Sequence, residues 1–424
     1  MPECRNLGDG AREVPRKQPK EIMETLLVFS HLRWNFVYQR PQHLLSRLAR
    51  RWRVIFVEEP MPGATEDRLE SITPCANVMV WRPHVRHAAH GFHDDHLAVL
   101  QPMLRTAMQE HGVRDYWTWF YTPMAYPLAN GLLSRGIVYD CMDELSQFRN
   151  APRQLLQRET ALLKAADLVF TGGPSLYRAK RDRHPDVHCF SSSVDAAHFA
   201  SADADHPLQA QLPRPRLGWA GVIDERVNLE LIAAVADARP QWQLVMVGPI
   251  VKIDPASVPR RPNIHWLGQQ AYEDLPRFIS SWDICILPFA LNDATKFISP
   301  TKILEYMACG RPSVSTSIRD VVDPYGHLVP IADEPQAFID ACESTLARTP
   351  HEQFVHGKAL AEVVAGTSWD RTVDAMASLI LRADEDNQSI RQAPQVLARQ
   401  DAVAQAMTRT APVEAVAAAR VVAR

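Results

Sequence analysis

Two hydrophobic patterns alternate along this chain. Short apolar runs, such as "TLLVFS" from Thr25 and "GIVYD" ending at Asp140, are separated by longer stretches in which apolar residues recur every three or four positions. The short runs predict buried strands, and the helical spacing predicts helices with one apolar face. Their alternation predicts an α/β fold, in which parallel sheets are wrapped by helices.

The alternation runs twice through the chain. The first series of predicted strands is "TLLVFS", "RVIFVEE", "NVMVW", "YWTWFYT", "GIVYD" and "DLVFTG", with helices starting at Pro41, Asp94, near Ala125, Pro152 and Ser175. The second series is "RLGWAG", "WQLVMVG", "NIHWLG", "DICILPF", "RPSVS" and "HLVPI", with helices starting at Asn228, Tyr272 and Pro300 and further helices to about Asp384. Each series is long enough for one doubly wound domain. Ligands of such sheets bind at the carboxyl ends of the strands, so two domains that face each other predict a cleft between them.

The polar stretches between and around these series set the predicted boundaries. The predicted segments are a disordered extension (1–22), a first Rossmann-like acceptor domain (23–200), a linker (201–215), a second Rossmann-like donor domain (216–387) and a low-complexity tail (388–424). Met23 directly precedes the first strand and is an alternative start of the chain.

Composition narrows the class of protein. The 424 residues are 46% hydrophobic and 22% charged, as in a globular protein, and the net charge of −3 argues against a general affinity for nucleic acid. The seven cysteines are scattered without a Cys-x-x-Cys pair, which indicates a reducing compartment. No apolar run reaches the roughly 18 residues that a membrane span needs. We therefore expect a cytoplasmic protein, either soluble or peripheral on the membrane.

The stretch "FISPTKILEYMACGRPSVS" predicts a nucleotide site. No Gly-x-Gly-x-x-Gly turn and no Walker A sequence occurs, which argues against a dehydrogenase and a P-loop enzyme. Here Ser299 is the predicted N-cap, Pro300 the first helical residue and Gly310 the residue that ends the helix. Amides at this helix start could hold a diphosphate, with Lys302 adding a positive charge. Glu305, one turn further on, could accept hydrogen bonds from two ribose hydroxyls.

Four stretches in order carry a resemblance to a known family. They are "SSSVDAAHF", "GVIDERVNLELI", "RPNIHWLGQQAYEDLPRFISSWDICILPF" and "PTKILEYMACGRPSVST". The chain resembles, from about Leu26 to Arg382, the GT-B glycosyltransferases of group 1, which include glycosyltransferase family 4. Two further stretches, "WNFVYQRPQHLL" and "VYDCMDEL", resemble a subgroup associated with envelope polysaccharides, including enzymes of the teichuronic acid type.

The resemblance implies roles for individual residues. It implies that Glu305 binds the donor ribose and that Arg226 neutralises the donor diphosphate and the leaving group. Phe297 and Val222 stand where the family has a glutamate and often an arginine, so we infer that Lys302 supplies the missing positive charge. The predicted donor-binding set is completed by four further residues: Ser299, Thr301, Gly248 and Arg40.

The acceptor side has weaker signals. Asp140 and Asp143 follow a strand, so both are expected to face the cleft, where one could accept a proton from the acceptor hydroxyl. The alternative for Asp143 is a helix cap, and for Asp140 a role in fixing the loop. Arg40 starts the first helix and could contact phosphate or be purely structural. His43 could be the base if neither aspartate is, or it could simply be packed.

Two surface patterns have both a functional and a plain interpretation. "PHVRHAAHGFHDDH" repeats histidine every three residues, but its glycine and its position between strand and helix make convergence of the rings on a metal unexpected. The first helix ends with Arg47, Arg50, Arg51 and Arg53. These cations could contact an anionic membrane, or they could complement the helix C-terminus.

Taken together, the sequence predicts a GT-B glycosyltransferase. We expect transfer of a sugar from a nucleotide-sugar donor to a saccharide or lipid-linked acceptor, with no metal or other cofactor and retention of configuration as usual in the family. The alternatives are a sugar-nucleotide epimerase with the same fold and a nucleotide-sugar-binding subunit without catalysis.

Overall fold

The computed structural model describes residues 24–200 and 204–392. The predicted extension at 1–22, the alternative start at Met23 and the part of the predicted tail from residue 393 onwards lie outside the described residues. The first residues of the predicted linker, 201–203, lie outside them as well.

The first sheet has eight strands. They are Thr25–Ser30 (β1), Arg53–Glu58 (β2), Arg68–Cys75 (β3), Val78–His84 (β4), Tyr116–Phe120 (β5), Ile137–Cys141 (β6), Leu168–Thr171 (β7) and Val187–Cys189 (β8). Their order across the sheet is β3-β4-β2-β1-β5-β6-β7-β8, and every pairing is parallel except that of β3 with β4. β1 is fully buried along its whole length, as its apolar sequence predicts.

Helices cover both faces of this sheet and enclose two apolar cores. The helices are Arg40–Leu48 (α1), Leu97–Glu110 (α2), Gln154–Ala165 (α3) and Pro174–Lys180 (α4). The next helix, Ala196–Phe199 (α5), packs in the core of the second lobe through Phe199. One core contains Leu26 and Val28 with Leu44 and Leu45 of α1, and the other contains Leu27 and Phe29. Successive residues of β1 thus point to opposite faces, as the pleat of a strand requires.

The second sheet has five parallel strands. They are Arg216–Ala220 (β9), Gln243–Val247 (β10), Ile264–Gly268 (β11), Ile284–Leu287 (β12) and Ser313–Ser315 (β13), in the order β11-β10-β9-β12-β13. The helices around it are Leu229–Ala238 (α6), Leu275–Ile279 (α7), Lys302–Ala308 (α8), Arg319–Tyr325 (α9), Pro335–Leu346 (α10) and Pro350–Ala365 (α11). Asn228 caps α6 through its side chain, which accepts a hydrogen bond from the Leu231 amide. A single apolar core joins this sheet and its helices.

The last helix, Trp369–Gln392 (α12), returns to the first sheet. Trp369, Val373 and Met376 are buried in the same apolar core as α1. The sequence assigned residues up to 387 to the second domain, whereas the structure packs 369–392 with the first. The chain therefore crosses between the lobes twice, and the crossings lie side by side, because Ser193 Oγ is 3.4 Å from Thr372 Oγ1.

Some predicted elements differ in the structure. β3 was not predicted, because its sequence "RLESITPC" is polar and lies largely exposed at the sheet edge. "HLVPI" was predicted as a strand but forms only an isolated bridge between Ile331 and Ser315. The helix predicted near Ala125 is a 3-10 helix at Pro123–Ala129, since its two prolines cannot donate backbone hydrogen bonds.

The strand order creates one crevice in each sheet. In the first sheet the chain proceeds outward from β1 on one side and then crosses to β5 on the other, so the order reverses between β1 and β5. In the second sheet it reverses between β9 and β12 in the same way. Beyond the carboxyl ends of the strands at these points, helices diverge and leave room for a ligand.

Candidate functional site

A cavity of about 550 Å³ lies between the lobes. Ala220, Gly221 and Phe289 line it from the crevice between β9 and β12, and Arg40 and Asp143 line it from the first lobe. Of the other seven predicted site residues, Asp140 does not line the cavity. The remaining six line it: Gly248, Arg226, Ser299, Thr301, Lys302 and Glu305. The cavity therefore collects residues that are far apart in the sequence.

The α8 helix brings a buried carboxylate and a lysine to the cavity. The Glu305 side chain is only 3% exposed, and its Oε2 atom is 3.1 Å from Lys302 Nζ. Ile303, Leu304 and Met307 are buried in the core, as their helical spacing predicts. Glu305 thus combines burial with an ion pair, which leaves its carboxylate in a site with little water around it.

The start of α8 differs from the prediction. Ser299 was predicted to cap the helix with Pro300 as its first residue, but the helix begins at Lys302 and its N-cap is Thr301, which makes no capping hydrogen bond through its side chain. Ser299 instead lies against Gly173 of the first lobe, where a Cβ atom on the glycine would be 2.5 Å from the serine Cβ. This contact holds the segment before α8 as a loop that closes one side of the cavity.

The loops after β9 and β10 form the floor of the cavity. Gly248 has a φ of +144°, and a Cβ atom there would collide with the Gly221 carbonyl oxygen. Only glycine fits this close approach of two loops. Arg226 lies on the loop after β9, where its Nε and Nη2 atoms donate to the Asp224 carboxylate at 3.0 and 2.8 Å. Its guanidinium is thus held in place by a buried partner.

Asp143 and Asp140 have different environments. Asp143 lines the cavity, and burial raises the pKa of its carboxyl group, although the charge of Arg226 opposes the shift. Asp140 was expected to face the cleft, but β6 extends to Cys141, so Asp140 lies inside the strand and is fully buried. Its Oδ1 atom accepts from Arg40 Nη2 at 2.9 Å. The predicted placement of Asp140 in the cleft is therefore wrong.

Arg40 and His43 are both committed to the packing of α1. Besides its ion pair, Arg40 donates to the Phe190 carbonyl oxygen at 2.6 Å, and it is 3% exposed, which favours the structural alternative for this residue. The His43 ring stacks on Trp369, with ring centroids 4.8 Å apart. Burial and the neighbouring Arg47 lower the pKa of His43 to about 3. A buried, stacked ring cannot reach an acceptor hydroxyl, so His43 is not a candidate base.

Contacts beside the cavity join the two lobes. Ser175, at the start of α4, donates from its hydroxyl to the Asp320 carboxylate at 2.5 Å and from its amide at 3.1 Å. Tyr38 stacks on Tyr272 of the second lobe with ring centroids 4.5 Å apart, and both rings line the cavity. These contacts hold the lobes in a closed arrangement.

Three further polar residues were not predicted; none of them lines the cavity, but the charge of Lys252 acts on Asp143, which does. His31 directly follows β1, Glu59 directly follows β2, and Lys252 lies in the loop between β10 and β11. The charge of Lys252 acts on both of the others. The available signal was the position of His31 and Glu59 immediately after buried parallel strands, where ligand-binding residues concentrate.

The histidine-rich loop is more compact than expected. The rings of His87, His93 and His96 come together, with centroids 5.5 to 6.2 Å apart, because a 3-10 helix at Asp94–His96 turns the segment back on itself. The rings are thus closer to one another than the glycine and the connecting position of the segment suggest. Within residues 24–200 and 204–392, however, no group of three or more His, Cys, Asp or Glu side chains has the geometry to hold a metal ion.

The arginines at the end of α1 face α12. Arg50 Nη1 is 2.7 Å from Asp370, Arg51 Nη2 is 2.6 Å from Asp374, and Arg47 contacts both Asp195 and Asp370. These cations therefore already have partners in the chain. Over the part of the chain that the structure describes, no helix has both the length and the apolar character needed to cross a membrane.

Comparisons with known proteins agree with this architecture. Residues 214–348 match the family described as "Glycosyl transferases group 1". A putative teichuronic acid biosynthesis glycosyltransferase of Bacillus subtilis, TuaH, is 26% identical over 261 residues, which cover 55% of this chain and 65% of that relative. The match thus spans slightly less than two thirds of the relative's length.

Solved structures share the fold at low sequence identity. Sucrose-phosphate synthase from Thermosynechococcus elongatus superposes with a TM-score of 0.64 at 17% identity, covering 85% of this chain and 98% of that one. HepE from Anabaena, in complex with UDP and glucose, gives a TM-score of 0.61 at 14% identity, covering 85% and 100%. Both are GT-B structures. The chain thus has the GT-B fold, and residues 214–348, in its second lobe, match the group 1 glycosyl transferases.

Proposed function

We propose that this protein is a glycosyltransferase that uses a nucleotide-sugar donor. The observation that supports this most directly is the buried Glu305 carboxylate, paired with Lys302 in a cavity at the carboxyl ends of both sheets. A buried carboxylate can accept two hydrogen bonds from vicinal ribose hydroxyls, and those bonds are strong because the acceptor is charged. Lys302 and Arg226, on the same cavity wall, are placed to neutralise a diphosphate.

We propose a uridine diphosphate sugar as the donor. The related HepE structure holds UDP and glucose, and a trehalose-6-phosphate enzyme of E. coli with a TM-score of 0.62 was solved with UDP-2-fluoro glucose. The cavity of about 550 Å³ lies in the size range of small-ligand pockets. Tyr38 and Tyr272 offer flat apolar rings on its wall against which a base could pack.

The acceptor is proposed to be a saccharide of the cell envelope, either free or linked to a lipid. The name of the TuaH relative refers to teichuronic acid biosynthesis, which supports an envelope polysaccharide. Peripheral contact with an anionic membrane through the end of α1 is a separate proposal. Arg50 and Arg51 support it because their side chains remain 69% and 47% exposed beside their aspartate partners.

The chemistry proposed is direct transfer with retention of configuration. The acceptor hydroxyl attacks the anomeric carbon as the bond to the diphosphate breaks, and the hydroxyl proton moves to a departing diphosphate oxygen. Arg226 and Lys302 stabilise the negative charge that develops on the diphosphate. Asp143, whose pKa is raised by burial, is the alternative proton acceptor in the first lobe. We propose that no metal is needed, and activity that persists in excess EDTA would support this.

Glu305→Ala tests the donor site. Loss of hydrogen bonds to a charged acceptor in a buried site should weaken UDP binding by about 2–4 kcal/mol, with little change in melting temperature. Titration calorimetry with UDP and several UDP-sugars measures this. The matched control is Glu230→Ala, an exposed glutamate on α6 of the same lobe, which should bind as the wild type does. Unchanged UDP affinity in Glu305→Ala would contradict the proposed site.

Product analysis separates the alternatives. Wild-type protein incubated with a UDP-sugar and envelope saccharides should release UDP and form a glycoside. Conversion of the donor to an epimer without an acceptor would indicate an epimerase instead. Tight UDP-sugar binding without hydrolysis, epimerisation or transfer would indicate a binding subunit.

A further inference from the structure

The crevice in the first sheet contains polar residues that the donor site does not use. In the second lobe, the crevice between β9 and β12 opens directly into the cavity through Gly221 and Phe289. The equivalent point in the first sheet lies between β1 and β5. His31 follows β1 there, and Tyr121 follows β5. Ligands of such sheets bind where the strand order reverses, so the first sheet offers a second ligand site at this point.

His31 presents an unpaired nitrogen at this point. Its Nδ1 atom is buried and has no hydrogen-bond partner among the described residues. The Tyr121 backbone favours a protonated ring, although it does not outweigh the opposing effects on the pKa of His31. In a neutral imidazole one nitrogen carries a lone pair, and the unpartnered Nδ1 is the candidate for it. Burial and the charge of Lys252 lower the pKa of His31 to about 4. The ring is therefore neutral at pH 7, and its unprotonated nitrogen can accept a hydrogen bond.

Glu59 follows the strand that neighbours β1, and its carboxylate lies against Gly91. Ser30 and Glu58 are partners in the register of β1 and β2, so the next residues, His31 and Glu59, leave the sheet side by side. Burial raises the pKa of the Glu59 carboxyl group to about 7, although the charges of Arg33 and Lys252 oppose the shift. Its neighbour Glu58, by contrast, is bound by Arg33, Arg82 and the Trp34 amide.

Lys252 reaches this pair from the second lobe. It has a φ of +60°, a conformation that costs a residue with a side chain roughly 1–2 kcal/mol. The Val251 amide donates to the Ile223 carbonyl at 3.0 Å and holds the loop in that form. The Lys252 ammonium lies 5.2 Å from the centroid of the Phe148 ring of the first lobe and forms no ion pair with any described residue. The loop after β10 thus keeps a strained conformation, and it carries the Lys252 ammonium to the Phe148 ring of the first lobe.

We propose that His31, Glu59 and Lys252 form a subsite for the sugar end of the acceptor, in which His31 Nδ1 accepts a hydrogen bond from the attacking hydroxyl. This rests on the proposed function, since the hydroxyl must lie next to a bound donor. Glu59 and Lys252 bind further hydroxyls of the same sugar. Phe148, which also lies 5.4 Å from the Arg226 guanidinium, connects this subsite to the diphosphate side of the cavity.

The charge of the subsite favours a hydroxyl acceptor over a phosphate acceptor. A lipid phosphate that attacks the donor would need several cations around its oxygens. Arg33 near Glu59 is already paired with Glu58, so the subsite has one uncommitted cation, Lys252, together with a neutral imidazole and a carboxyl group. Ionisation of the carboxyl would repel a phosphate. Hydroxyl groups both donate and accept, so they fit all three side chains. The inference is that the enzyme extends a saccharide and does not begin one on a lipid phosphate.

The test uses the full chain saturated with UDP and a panel of acceptor probes. The probes are 4-nitrophenyl glycosides of glucose, galactose, N-acetylglucosamine and glucuronic acid, with phenyl phosphate as the phosphate probe. Binding is measured by saturation-transfer NMR and titration calorimetry, and transfer is measured from the UDP-sugar that binds best. The variants are His31→Phe, which keeps the ring shape, His31→Asn, whose side chain can place an acceptor near the Nδ1 position, and Lys252→Gly, which removes the cation but suits a positive φ.

We expect at least one glycoside to bind the wild type and phenyl phosphate not to compete with it. His31→Phe should weaken glycoside binding by about 10–100-fold, as for a buried hydrogen bond lost, and His31→Asn should restore part of it. Lys252→Gly should raise the acceptor KM, while UDP affinity stays unchanged in every variant. Lys358→Ala is the matched control, because that lysine also lies over an aromatic ring, Phe354, but on α11 away from the cleft.

Three results would overturn the inference. They are failure of all the glycosides to bind, equal binding by His31→Phe and the wild type, and displacement of the glycosides by phenyl phosphate. If Glu305→Ala loses UDP affinity and one of these three results is also found, the proposed donor site is supported and the acceptor subsite is contradicted. Absence of UDP binding in the wild type would instead remove the proposed function itself.

Discussion

At the scale of single residues, the buried Arg40–Asp140 pair shows how a charge can serve the fold beside a functional cavity. Asp140 is fully buried, and both of its oxygens accept from Arg40, at 2.9 and 3.3 Å. Removing one member of such a pair leaves the other as an uncompensated buried charge. The pair joins the start of α1 to the middle of β6, and it therefore fixes the loops that bring Asp143 to the cavity.

Asp140→Asn should destabilise the protein strongly. The variant leaves the Arg40 guanidinium buried without a carboxylate, which costs about 3–5 kcal/mol of unfolding free energy. Differential scanning calorimetry measures the loss, and Asp182→Asn is the control, since Asp182 is 85% exposed. An Asp140→Asn protein of wild-type stability but without activity would mean that Asp140 acts in the reaction and not in the fold.

Glu59→Gln should stabilise the protein increasingly as the pH rises above about 4.5, with its full effect above about pH 7. The folded-state pKa of Glu59 is about 7 against an ordinary value of 4.5, because burial disfavours the charged form. The folded state therefore holds its proton longer than the unfolded state, and stability falls as pH rises from about 4.5 through 7. The neutral glutamine avoids this loss, so its advantage should be close to zero at pH 4 and about 1–3 kcal/mol at pH 8.

Melting temperatures of Glu59→Gln and the wild type across pH 4 to 9 check this expectation. The control is Glu66→Gln, at an exposed position in the loop after β2, which should show no such trend. Arg33 and Lys252 are the charged groups that act on Glu59. A constant difference between the two proteins at all pH values would mean that Glu59 is ionised throughout.

At the scale of elements, the buried strands could be predicted from the sequence, whereas the polar strand at the edge of the first sheet could not. Buried parallel strands such as β1 and β10 are apolar throughout, so the sequence shows them directly. β3 is half exposed and polar, and its pairing with β4 depends on the finished sheet. The same holds for the site: Glu305 could be predicted from helix spacing, whereas His31 and Glu59 become a pair only through the register of two strands.

The placement of α12 could not be predicted by assigning elements to domains in the order in which they occur along the chain. Its apolar face looks like any other helix face in the sequence, and which sheet it covers depends on tertiary packing. Trp369 and Met376 are 1% and 0% exposed in the core of the first lobe. This helix is the last one in the described chain, yet it packs in the first lobe, to which the N-terminal half of the chain contributes the sheet.

Met376→Ala should loosen the first lobe and leave the second intact. Truncating a buried methionine in a packed core costs about 2–5 kcal/mol. Hydrogen exchange should therefore speed up in β1 and β2, far away in sequence, and stay unchanged in β9 and β10. Leu360→Ala on α11, which packs in the second core, is the matched variant and should give the opposite pattern. Faster exchange in β9 after Met376→Ala would contradict this assignment of α12.

At the scale of the whole molecule, a small set of polar contacts holds the lobes together beside the cavity. Asp320 accepts three hydrogen bonds from Ser175, two from its amide and one from its hydroxyl. A Cβ atom on Gly173 would come within 2.5 Å of both Asp320 and Ser299, so the lobes touch backbone to side chain there. The arrangement that completes the cavity is thus the one in which these contacts form.

Asp320→Ala should favour an open arrangement of the lobes. Losing these hydrogen bonds removes about 1–3 kcal/mol that favours closure, so UDP should bind roughly 5–100-fold more weakly if it needs the closed form. Small-angle scattering should show a larger radius of gyration without UDP and recovery when UDP is added in excess. Asp340→Ala, at an exposed aspartate on α10 whose side chain accepts from Gln336 of the same helix, should leave both measurements unchanged. An Asp320→Ala protein that stays compact and binds UDP normally would show that other contacts set the closed form.

The return of α12 to the first lobe also determines how the molecule would carry a mechanical load. β1 and α12, the two ends of the described chain, are anchored in the same core. A pulling force applied at these ends acts on the first lobe alone. The second lobe is an insertion, joined to the first by two adjacent chain crossings, and does not carry the force. In a single-molecule stretching experiment the first lobe should therefore yield first. The lobe that carries Glu305 should stay folded until α12 has been peeled away.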